Sequence, residues 1–225
     1  MAFIKNSERK CIICGHNYHY QQLLENTSFG MRDLDTRPPG MLRRMMHLTL
    51  QKCPSCGYVN NDVSIKIKEF DESILKSEEY LLILNDEKIN FAIKKFKLYG
   101  FIMKDIDDQK AGMAYLRAAW MADDAKCEKE ARMLRSKAIK HLEESLKTNE
   151  NENVKLILVD LYRRVGLFEE AHEYAMFLLN NLGLEKYKRN ILFYQLKLCE
   201  DEDVLDHTMP GNHNFYLSKD EEDDE

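Results

Sequence analysis

Two short cysteine pairs constrain this chain more than any other feature in it. Cys11-Ile-Ile-Cys14-Gly15 and Cys53-Pro-Ser-Cys56-Gly57 each hold two thiols on one turn, with 38 residues between the pairs. Four thiolates in two CxxC pairs match the tetrahedral demand of a structural Zn²⁺. A glycine follows each second cysteine, where positive φ lets the backbone turn and bring amides toward the sulfurs. The expectation is one structural zinc ion on Cys11, Cys14, Cys53 and Cys56, with iron as the other occupant the same sulfurs could hold. Disulfides are disfavoured, because Met1 to Lys10 has no apolar leader and nothing marks the chain as secreted. A thioredoxin-like use of CxxC needs a βαβ setting that the sequence does not show. His16, His19 and His47 are reserve ligands only, since four cysteines already complete a shell. Cys127 and Cys199 fall in helical patterns and read as small buried residues.

The segment around the knuckles reads as short strands and turns. In Met45 to Lys52, His47, Thr49 and Gln51 alternate with Leu48 and Leu50, as in a half-buried strand. Tyr58 to Ile67 continues the alternation through Val63, Ile65 and Ile67. Pro38 and Pro39 keep Thr36 to Gly40 out of any helix. The plan is that of a small zinc ribbon over residues 1–69. So little apolar sequence would hardly fold unaided, whereas Zn²⁺ contributes on the order of 10–16 kcal/mol in comparable peptides. Chelation is therefore expected to unfold this module and leave the helices that follow.

From residue 70 the apolar period becomes helical. Ile89, Ala92, Ile93, Phe96, Tyr99 and Ile102 form one stripe, and Ala131, Leu134, Ala138, Leu142 and Leu146 a longer one. Short breaks separate about seven helices between 71 and 200, which predicts antiparallel neighbours. Leu158, Tyr162, Gly166, Phe168 and Ala171 stand at the spacing of a tetratricopeptide (TPR) repeat. Lys155 and Val159 depart from that pattern. Trp120 lies 42 residues before Tyr162, against a repeat length of about 34. The array is TPR-like rather than regular. The fold class is thus mainly α: a small N-terminal β zinc ribbon, then a TPR-like array of antiparallel helix pairs over 70–200, then an acidic, partly disordered tail over 201–225.

The whole chain resembles a family of uncharacterised, mostly bacterial proteins classed as a domain of unknown function. The resemblance rests on the two CxxCG knuckles, on Arg32-Asp-Leu-Asp-Thr-Arg-Pro-Pro39, on Tyr58 after the second knuckle, and on Ala111-Gly-Met-Ala-Tyr-Leu-Arg-Ala-Ala-Trp120. It implies two knuckles ahead of TPR-like helices and the same four metal ligands. It implies no activity.

Charge is unevenly spread. The chain carries -6 overall, yet residues 1–68 carry +5 and residues 201–225 carry -9. Arg32, Asp33, Asp35, Arg37, Arg43, Arg44 and His47 crowd into sixteen residues. They make either a polar ligand or phosphate site, or, more plainly, the salt bridges and turn caps that tie a long loop to the ribbon. The expected function is that of an adaptor, with a protein partner's peptide or helix on the TPR-like helices. Tyr115, Arg117, Arg163 and Arg164 are the candidate groove residues. The alternative is nucleic-acid binding through the basic ribbon, with Arg43, Arg44 and Lys52 near Tyr18 and Tyr20. No phosphate-loop, GxGxxG, GxSxG or HExxH motif appears, and a four-cysteine shell leaves no open position, so an enzyme is not expected. The longest strongly apolar run, Tyr80 to Leu84, is too short to span a bilayer, and a cytoplasmic location is expected. Phe215 and Leu217, an apolar island in the tail, are candidates to dock in the helical groove.

Overall fold

A computed structural model of the chain describes residues 2–26 and 30–211. It divides into two compact units. One comprises Met1–Phe29 and Gly40–Asn149, the other Gly30–Pro39 and Glu150–Glu225. This division does not follow the expected line at residue 69: the cysteine knuckles share a unit with the first four long helices. The apolar island at Phe215 and Leu217 lies outside the described residues.

The first unit starts with an antiparallel hairpin that the sequence pattern does not announce. Strand β1 (Ala2–Lys10) pairs with β2 (Asn17–Asn26), and the first knuckle is its turn. A short helix α1 (Gly40–Met45) leads into a 3₁₀ turn over Met46–Thr49. Strands β3 (Gln51–Lys52) and β4 (Val59–Asn60) then flank the second knuckle. The expected strand over Met45 to Lys52 is therefore mostly a 3₁₀ turn. Thr49 Oγ1 donates to the Met46 carbonyl at 2.7 Å and closes it, while Leu48 and Leu50 still reach the core. The expected strand over Tyr58 to Ile67 is likewise only two residues long. Beyond it Asp62 accepts from the backbone and hydroxyl of Ser64, which bends the chain away from a ladder.

Helices α2 (Glu78–Asn85), α3 (Phe91–Met103), α4 (Asp108–Asp124) and α5 (Glu128–Leu146) complete this unit. Each of the first three begins at a side chain that accepts an amide of its own first turn: Ser77, Asn90 and Asp107. Successive helices pack, α2 on α3, α3 on α4 and α4 on α5. The stripe read from sequence forms the core, with Ile93, Phe96, Ile102, Leu134, Ala138 and Leu142 all buried.

The second unit is built on α6 (Glu152–Arg164), α7 (Phe168–Asn181) and α8 (Lys186–Glu200). All three pack on one another. Gly166 takes φ +81° and turns the chain between α6 and α7, and Ala171 is fully buried where α7 begins. Val159, Ala175, Leu178 and Leu192 form its core. Seven α-helices thus lie between 71 and 200, as the periodicity predicts. Among the described residues no helix is long and apolar enough to cross a membrane.

Candidate metal centre

The two knuckles are built alike. Cys11 N–H donates to the His16 carbonyl at 2.9 Å, and Gly15 N–H to the Cys11 carbonyl at 2.9 Å. In the second, Cys53 N–H donates to the Tyr58 carbonyl at 2.8 Å and Gly57 N–H to the Cys53 carbonyl at 3.1 Å. Gly15 and Gly57 sit at φ +73° and +78°. That left-handed turn is open to glycine and strained for other residues. It sends the next amide back to the cysteine sulfur, from His16 to Cys14 and from Tyr58 to Cys56.

The four sulfurs converge. Cys11 Sγ is 3.7 Å from Cys56 Sγ, and Cys14 Sγ is 3.5 Å from Cys53 Sγ. All four lie within 4.8 Å of one another. Metal–sulfur bonds of about 2.3 Å give a tetrahedron with edges of roughly 3.8 Å. The cluster is therefore the size of a tetrathiolate shell, and far too open for disulfides, whose sulfurs are about 2.05 Å apart. All six cysteines are free.

The electrostatics also fit a cation. Burial pushes the Cys56 and Cys11 thiols up. For Cys14 burial works the same way, but the His16 amide and the neighbouring thiols outweigh it and bring it down to about 7. Four thiols this close resist becoming four thiolates on their own, and a bound divalent ion removes that repulsion. Cys11 and Cys53 are buried, while Cys14 is exposed.

Five contacts hold the knuckles to their surroundings. Ile12 N–H donates to the Val63 carbonyl at 3.0 Å, and Arg9 pairs with Asp62 at 3.2 Å, so the first hairpin is pinned to the chain after the second. Tyr80, fully buried on α2, donates its hydroxyl to the Gly57 carbonyl at 2.9 Å. Lys95 of α3 donates to the carbonyls of His47 and Leu50, both at 2.8 Å, just ahead of the second knuckle. None of these could be found by motif, because each pairs residues far apart in sequence.

Residues 4–195 match DUF2225, described as an uncharacterized protein conserved in bacteria. The chain belongs to the DUF2225 family. The match takes in both knuckles and all but the end of the helical chain, as the sequence resemblance implies. No curated protein and no solved structure matches it.

The other candidate residues of this DUF2225 chain fall in several separate settings. The charged group is divided: Arg32, Asp33, Asp35 and Arg37 belong to the second unit, Arg43, Arg44 and His47 to the first. Asp33, Asp35 and Arg37 are buried within a tight turn. Asp35 accepts from Arg37 N–H at 3.2 Å, and Arg32 donates to the Thr36 carbonyl at 3.2 Å. The turn is tied to the end of its own unit by Leu34 N–H to the His207 carbonyl (2.9 Å) and Met209 N–H to the Arg32 carbonyl (2.7 Å). Leu34 packs against Ile191 and Leu198 of α8. The plainer reading expects such ties to run to the ribbon; the backbone bonds that tie this turn run instead to His207 and Met209.

Of the candidate groove residues, Tyr115 is buried and stacks on His141. Arg163 is fully buried, with Asp160 at 2.6 Å and the Asp203 carbonyl as partners, so it belongs to the core of its unit. Arg164 is half-buried. Arg117 lines a polar cleft beside α4. His16 and His19 are exposed and, with His47, lie outside the thiol cluster.

Proposed function

We propose that this protein is a zinc-stapled interaction module that takes a peptide or helix of a partner protein on its TPR-like helices. The mutual packing of α6, α7 and α8, with Gly166 at the turn and Ala171 at the close approach, carries this reading. Helix triplets of this kind serve as docking surfaces. Met176 and Phe177 of α7 and Tyr187 of α8 keep 39, 54 and 47% of their surface exposed and offer apolar contacts. Zinc is the favoured ion because the donors are four sulfurs and the shell is closed, which suits a structural site.

The basic ribbon supports the nucleic-acid alternative less well. Arg9 is tied to Asp62, and burial lowers the pKa of Lys52. The test is capture of partners from native lysate on the tagged full chain, with and without nuclease, beside the Phe177→Asp variant. A discrete, nuclease-resistant protein lost with Phe177→Asp supports the reading. Bound material that vanishes with nuclease and ignores Phe177→Asp moves the function to the ribbon.

A further inference from the structure

A cleft of about 740 Å³ opens beside α4 in the first unit. Small-molecule sites commonly fall in the range of about 300–1,000 Å³. Lys110, Met113 and Arg117, spaced three and four apart on α4, present one helix face to it. Tyr99 and Ile106 line it from the end of α3 and the turn that follows.

Its charges are unequally matched. Lys110 Nζ is paired with Asp107 at 2.9 Å, and the Asp108 carboxylate is held by the His141 ring at 2.7 Å. Arg117 has no ion pair and no hydrogen bond among the described residues. The residue is half-buried. Burial works against its charge, and the nearby Tyr99 is the one group that supports it. The Tyr99 hydroxyl also makes no hydrogen bond among the described residues. A partly buried cation without a counter-ion is costly, and a guanidinium's fork of donors is best satisfied by a planar carboxylate or a phosphate.

We propose that this cleft binds a small organic oxyanion, a carboxylate or a phosphate monoester, on the Arg117 guanidinium. The Tyr99 hydroxyl supplies a second donor, and Met113 and Ile106 face the apolar part of the ligand. Nothing in this site depends on partner binding by α6 to α8.

The test uses the full metal-loaded chain, labelled so that arginine Nε–Hε signals can be read by NMR. It is titrated with benzoate, with phenyl phosphate, and with benzamide as the neutral mimic. The Arg117 signal is expected to shift saturably with one or both anions and not with benzamide. The preferred anion identifies the ligand as carboxylate or phosphate. Arg117→Gln should weaken that binding at least about tenfold, the scale of a charged hydrogen-bonded pair. Tyr99→Phe, a milder change, should weaken it about threefold or more. No saturable shift with either anion would overturn the proposal, as would equal binding of benzamide or unchanged affinity in Arg117→Gln. If Arg117→Gln fails to fold, the wild-type Arg117 signal and the Tyr99→Phe affinity decide between these outcomes.

Discussion

The Tyr80 hydroxyl donates to the Gly57 carbonyl at 2.9 Å, inside the protein and out of reach of water. One residue belongs to a helix and the other closes a cysteine knuckle, so this bond joins the metal centre to the helical core of its unit. Tyr80→Phe removes the donor and leaves a buried carbonyl unpaired. It should destabilise the unit by about 1–3 kcal/mol, measured by denaturant unfolding of the metal-loaded chain.

The two knuckle glycines should respond differently to one change. Both adopt the left-handed turn, which costs an alanine about 1–2 kcal/mol. An added Cβ at Gly15 would meet only Lys10 Cε at 3.7 Å, whereas at Gly57 it would lie 2.8 Å from Leu84 Cδ2. Gly57→Ala should therefore be the more damaging, and adding Leu84→Ala should restore part of its loss. Equal costs at the two positions would show that α2 does not press on the second knuckle.

Lys95 should reveal itself through pH. Burial, with the nearby Lys52 charge adding to it, brings its amine down from 10.5 to about 8. In the unfolded chain the amine keeps a proton up to about 10.5, so between these values unfolding takes up a proton. Wild type should gain stability relative to Lys95→Met as pH rises from about 8 to about 10.5. Below about pH 8 the lysine is charged whether the chain is folded or unfolded, and the difference should be flat. Two carbonyls match the two hydrogens of the neutral amine, so the contacts to His47 and Leu50 survive its deprotonation. Thermal unfolding of both proteins across this range is the check.

Leu34 separates a structural loop from a binding loop. It is 1% exposed and sits against Ile191 and Leu198. Leu34→Ala should cost the second unit about 2–5 kcal/mol, while metal content stays unchanged. Arg32→Ala, at an exposed side chain, should stay within about 0.5 kcal/mol of wild type. Hydrogen exchange in α8 reads both.

These contrasts separate what was legible in the sequence from what was not. The four ligands could be read because Cys and Gly recur at spacings that only a few conformations serve. The helices could be read because Ile93, Phe96, Leu134 and Leu142 repeat with the helical period. The β1–β2 hairpin could not, since Ser7 and its cross-strand partner Tyr20 are the two positions buried among its described side chains, and so few leave no alternation to see. Met46, Leu48 and Leu50 do alternate, yet a 3₁₀ turn followed by two strand residues buries them as well as a strand would. The tie from Leu34 to His207 spans most of the chain, and no local pattern encodes such a pairing. The division of the Arg32 to His47 charges between two units follows from that tie.

Tyr80 ties α2 to the second knuckle, and Lys95 ties α3 to the chain just ahead of it, so a metal held by the four cysteines would staple these helices as well as the strands. This goes against the sequence expectation that chelation would spare the helices. The deciding experiment is hydrogen exchange by mass spectrometry on the full chain, before and after removal of the metal with a strong chelator. The prediction is that β3, β4, α2 and α3 lose protection together, while α6 to α8 keep theirs. Continued protection of α2 and α3 in the metal-free protein would contradict it.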